Sequence, residues 1–90
     1  MIMTVKTEHG TYECRELTFK DRRTLHRMEV EAVDQDGKLA PSKYYDVIEW
    51  VMYHAFDDPE LALGKLSDTE IDMVIGDIYT AYKTPSKKKK

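Results

Sequence analysis

Cysteine is all but absent from this chain. Cys14 stands alone, so no internal disulfide can form. Glycine is nearly as scarce: the four glycines are scattered, and a phosphate-cradling glycine loop is thereby excluded. There is no His-Glu-x-x-His run and no cysteine pair, so the usual spacings of a metal site are missing. Long apolar runs are missing too. The longest mostly apolar stretch, Tyr44 to Phe56, is broken by Asp46, Glu49 and His54. It is shorter than the roughly 20 residues that cross a bilayer. Met1-Ile-Met3 gives way at once to Thr4, Lys6 and Glu8, with no apolar signal core. These absences predict a soluble intracellular protein in a reducing compartment, with no cofactor, no metal and no catalytic residue.

What is present fits one small domain. Ninety residues exclude a two-domain enzyme, and 41% hydrophobic with 34% charged residues is a globular balance. Charge is distributed unevenly. Residues 28–82 carry thirteen acids against three bases, whereas residues 1–27 carry six bases against four acids. Five lysines follow at 83–90. An acidic body repels a phosphate backbone and suits a protein partner with basic patches.

The predicted fold class is α+β and predominantly helical: an N-terminal β-hairpin followed by three to four α-helices. The hairpin is expected over residues 2–16, with Tyr12 and Cys14 alternating against Glu13 and Arg15, and Gly10 at the turn. Thr18-Phe19-Lys20-Asp21 has the form of a capping box opening a helix over 19–33, with Leu25, Met28 and Ala32 (or Val33) on one face. Gly37 is expected in a turn, and Pro41-Ser42 to open a second helix with Ser42 as N-cap. Asp57-Asp58-Pro59 ends that helix. Asp58 then caps a short turn, Pro59 to Leu63. Ser67-Asp68-Thr69-Glu70 is a second capping box, opening a helix that buries Ile71, Val74, Ile75, Ile78 and Tyr82. Residues 1–83 form the expected domain, and 84–90 a disordered basic tail.

Each chemically suggestive group has a plainer reading. Asp34-x-Asp36-Gly37 resembles part of a calcium loop, but the alignment puts Ala32 and Lys43 where ligands belong. His54 near Asp57 and Asp58 lacks a second histidine, and a half-buried helical histidine beside a carboxylate accounts for it. Cys14 lacks a neighbouring base and reads as a small strand hydrophobe. Pairing with the acidic body is the simplest account of Arg22, Arg23 and Arg27. The lysine tail reads as a solubilising terminus, because neither aromatic interleaving nor a basic folded face accompanies it in the sequence. In the second helix, five aromatics (Tyr44, Tyr45, Trp50, Tyr53 and Phe56) are more than so small a domain is expected to bury. The exposed remainder would be a contact patch.

Two stretches carry a resemblance: ELTFKDRRTLHRMEVEA at 16–32 and VIEWVMYHAFDDPELALGKLSDTEIDMVIGDIYTAY at 47–82. Together they resemble the small tail assembly chaperones of long-tailed bacteriophages, which are short, acidic and largely helical. The resemblance implies a non-enzymatic protein of the host cytoplasm. Its partner would be the phage tape measure protein, kept soluble until tail tube subunits polymerise. An apolar helix face that must be masked also makes self-association an expectation, while the short apolar run and the acidic body predict no membrane and no specific nucleic-acid partner. Within this reading Tyr45, Trp50, Tyr53 and Phe56 are the expected partner contacts. A structural virion subunit of baseplate or neck and a small phage regulator that binds a host protein are the alternatives.

Overall fold

The computed structural model describes residues 2–33, 35–38 and 40–84. Strands β1 (Ile2–Thr7) and β2 (Gly10–Arg15) are followed by helices α1 (Phe19–Ala32), α2 (Pro41–Ala55), α3 (Pro59–Leu63) and α4 (Asp68–Lys83). The α+β class, hairpin first and helices after, is the one the sequence predicts. The expected disordered tail lies, but for Thr84, outside the described residues.

β1 and β2 pair antiparallel, with Met3 opposite Cys14 and Val5 opposite Tyr12. Side chains alternate across a strand, so these four share one face. Val5 and Cys14 are buried there, and Met3 and Tyr12 pack against the same core. Thr4, Lys6, Thr11 and Glu13 take the outer face. Gly10 sits at φ +133°, a conformation that favours glycine, and closes a tight turn. The Thr7 hydroxyl donates to the Gly10 carbonyl at 2.8 Å and accepts from the His9 N–H at 3.0 Å. A lone hairpin is marginal. Here β1 rests on α4 and β2 on α2.

Both capping boxes form. Thr18 and Asp21 exchange hydrogen bonds at the start of α1, and Ser67 and Glu70 do so at the start of α4. α2 starts differently from expectation. Ala40 is the N-cap and makes no side-chain hydrogen bond, while Pro41 takes the first helical position. Ser42 therefore lies inside the first turn and is not the cap. Proline suits that start because its missing N–H would have no helical partner. Gly37 lies at φ +82° between α1 and α2, where the Ala40 N–H donates to the Ala32 carbonyl at 2.9 Å.

The core runs between α2 and α4 under the hairpin. Val47, Ile48, Val51 and Ala55 meet Val74, Ile75 and Ile78, and Leu25 and Leu63 close its sides. Each of the larger side chains contributes about 1.5–3 kcal/mol by leaving water. Arg15 binds three elements together. Its Nε donates to the His54 carbonyl at 2.8 Å, its Nη1 pairs with Asp57, and its own carbonyl accepts from the Tyr82 hydroxyl at 2.5 Å. A cation is favoured there because the α2 carbonyls converge at that end.

Candidate protein-binding surface

α2 is apolar over most of its circumference, and the fold decides which parts stay uncovered. Val47, Ile48, Val51 and Ala55 point into the core. Tyr45 and Tyr53 remain 51% and 62% exposed on a side that faces α3 and the start of α4. Two shallow depressions line that side. One is bounded by Tyr53, Met52, Pro59, Leu63 and Ile71. The other is bounded by Tyr45, Ile48, Met52, Ile71 and Ile75. Met52 and Ile71 belong to both, so together they form one apolar groove. Leu61 on α3 stands just beyond it, 84% exposed beside Asp58 and Glu60.

The rim of the groove is acidic. Glu49, Asp58, Glu60, Asp68 and Asp72 line it. Their field reaches the tyrosine at its edge: the Tyr45 phenol is pushed above its ordinary range, first by Asp72 and then by Glu49. The groove thus offers apolar area inside a ring of negative charge.

The four predicted contact residues do not act as one patch. Tyr45 and Tyr53 stand at the two ends of the groove. Phe56 is a correction: it is 8% exposed and belongs to the core. α2 ends at Ala55, and the extended backbone at Phe56 turns its ring under the hairpin, edge-on to Tyr12 at 6.0 Å. Trp50 is half-buried on another flank of α2. Its indole stacks on His54 at 5.1 Å and 4°. His54 in turn meets the Tyr82 ring and approaches the Asp21 carboxylate at 3.4 Å. Neither Phe56 nor Trp50 lines the groove. Val74 and Ile78, read from the sequence as core, are fully buried, and Tyr82 is half-buried against them.

Sequence reasoning missed Met52 and Leu61 as surface groups. Leu61 carried a signal. Two residues apart on a one-turn helix, Leu61 and Leu63 cannot both face the core, and Leu63 is the one buried. Asp21 was also missed as the carboxylate beside His54, since it comes from α1 and not from the Asp57-Asp58 corner.

Cys14 is fully buried, and burial pushes its thiol up to about 11. Such a shift disfavours the thiolate at neutral pH. Among the described residues no three His, Cys, Asp or Glu side chains gather to hold a metal ion. Nor, among them, is any helix long and apolar enough to cross a membrane. No protein family, curated protein or solved structure matches the chain.

Proposed function

We propose that this chain is a non-enzymatic tail assembly chaperone, which binds the tape measure protein in the host cytoplasm and keeps it soluble during phage tail assembly. One observation carries the reading: the apolar groove between α2 and α3–α4, with Tyr45 and Tyr53 at its ends and five carboxylates on its rim. A groove of this kind suits an amphipathic client helix with an apolar face and basic flanks. Covering that face removes it from water, and the remaining acidic surface keeps the complex soluble. The residue resemblance at 16–32 and 47–82 favours the tape measure protein as that client.

The test is co-expression with the tape measure protein encoded in the same genome, followed by a solubility and pull-down assay. The client is expected to become soluble and to co-purify. Tyr45→Ala and Tyr53→Ala are expected to weaken capture while the domain stays folded. A client that stays insoluble beside folded wild-type protein overturns the reading. A second reading draws on the two-stranded sheet, whose order β1-β2 leaves an outer edge on each strand. In a virion subunit such an edge could add to a neighbour's sheet. Purified particles separate the two: a structural subunit stays in them, and a chaperone does not.

A further inference from the structure

The outward face of α1 is a second surface, opposite in sign to the groove. Phe19, Arg22, Arg23, His26 and Arg27 are all exposed along its first turns, with Phe19 72% exposed. The Arg22 guanidinium lies over the Phe19 ring, 5.6 Å from its centre. Behind them a cleft runs to the end of α4, floored by Leu17, Leu25 and Tyr82.

The expected pairing of these arginines with the acidic body is not found among the described residues. Among the described residues no ion pair holds Arg22, Arg23 or Arg27. Of the acids on α1, Asp21 and Glu29 are engaged elsewhere, while exposed Glu31, one turn after Arg27, forms no ion pair with it among the described residues. Asp21 accepts from the Thr18 N–H and approaches His54. Glu29 accepts from Lys83 at 2.9 Å and from the Tyr79 hydroxyl. Of the groove carboxylates, Asp68 and Asp72 lie at the other end of α4. From Asp72 to Lys83 the helix rises about 16 Å, beyond the roughly 8 Å over which charge acts at physiological salt. Arg22 and Arg23, in the first turns of α1, therefore present their charge to solvent away from the groove carboxylates.

We infer that this face binds single-stranded nucleic acid without sequence preference: Phe19 and Arg22 stack on bases, and Arg22, Arg23 and Arg27 contact phosphates. An exposed aromatic flanked by arginines at one-turn spacing is what such binding uses. An acidic peptide would engage the cations and leave Phe19 without a role, so the aromatic favours the nucleic acid. The run of lysines at 87–90 begins three residues after Thr84, which lines the same cleft.

The test is titration of the full chain against fluorescent oligo(dT) of about 15 nucleotides, at several salt concentrations. Phe19→Ala is expected to weaken binding by about fivefold or more, and Phe19→Trp to restore it. Arg22→Gln with Arg23→Gln is expected to lower the slope of log K against log salt by about 1.4, or 0.7 for each phosphate no longer neutralised. Changing Lys87–Lys90 to Gln should weaken binding overall but leave the Phe19 effect in place. Binding that ignores Phe19, or that vanishes with the lysine changes alone, overturns the inference. So does equal competition by polyglutamate, which would point to an acidic protein partner. Circular dichroism confirms folding of each variant, and the exposed positions make that the expected result.

Discussion

The Trp50 indole lies parallel to the His54 imidazole, 5.1 Å away, and so closes the flank of α2 that faces the start of α1. This places a large aromatic in a supporting role. Trp50→Ala would uncover His54 and leave space beside the core, at a cost of about 2–3 kcal/mol. For a domain of this size that lowers Tm by roughly 10 °C or more. Tyr45→Ala and Tyr53→Ala should each stay within about 1 kcal/mol of the parent, because both rings are more than half exposed. Thermal melts of the three variants check this. Equal destabilisation by all three would remove the distinction between support and surface.

The two glycines of the second half should respond to alanine in opposite directions. Gly64 has ordinary right-handed dihedrals, so its backbone would accept any residue. Space is what it lacks: an added Cβ would stand 2.4 Å from the Glu60 carbonyl oxygen, which already accepts the Gly64 N–H at 2.8 Å. Gly64→Ala must open that turn and should cost about 1–3 kcal/mol. Gly76 lies inside α4 with nothing within 4 Å of an added Cβ. Gly76→Ala should stabilise by up to about 1 kcal/mol, through helix propensity and a less flexible unfolded chain. Urea midpoints of the pair measure both. A stabilised Gly64→Ala would show that the turn yields.

Local chemistry was legible in the sequence, and long-range coverage was not. The capping boxes at Thr18–Asp21 and Ser67–Glu70 depend on residues three apart, so their form could be read directly. The same is true of Asp58, whose carboxylate accepts from the Leu61 N–H. Ser42 was misread because a serine beside a proline satisfies the same local rule as a cap, and only the chain's path puts Ala40 there. The aromatics of α2 were harder still. Periodicity shows that the helix is apolar nearly all round. Which flank is covered depends on where Tyr12, Asp21 and Ile71 arrive from other elements. Phe56 went into the core for that reason, and Met52 joined the groove. The basic face of α1 is visible as composition, but only the fold shows that, among the described residues, no ion pair holds Arg22, Arg23 or Arg27.

Acid should unfold the protein partly through its first capping box. The Asp21 carboxyl is held below its usual range, chiefly by the Thr18 N–H, with the Thr18 side chain, His54 and Lys20 adding to the effect. A folded pKa below the unfolded value of about 3.9 means that the stabilisation is fully present above that pH. It is lost as the pH falls through the folded pKa. Asp21→Asn keeps part of the cap geometry but removes the titration. The variant should melt lower than the parent near neutral pH, and its melting temperature should fall less steeply below pH 4. Glu70, held low first by the Ser67 N–H, is expected to behave alike in α4. Parallel Tm curves for parent and Asp21→Asn across this range would show that the carboxylate makes no net contribution.

The thiol of Cys14 reports on whether the hairpin stays docked. The side chain is fully buried on the inner face of β2, and its pKa is pushed up to about 11 by burial. Such a shift leaves about a hundredfold less thiolate at pH 8 than an ordinary thiol has. Burial also blocks the reagent, so labelling must wait for the hairpin to lift or the domain to unfold. Reaction with a disulfide reagent should therefore be slow in the native protein and fast in concentrated urea. Glycine at position 10 holds the hairpin turn at φ +133°, so Gly10→Ala strains it and should speed native labelling. The groove is lined by α2, α3 and α4 but not by β2, so under the proposed function a client bound there would not touch Cys14. It should slow labelling only by stabilising the whole fold, in proportion to the rise in Tm. Fast labelling of the folded wild-type chain would mean that the hairpin is undocked much of the time, and that the core is closed by the helices alone.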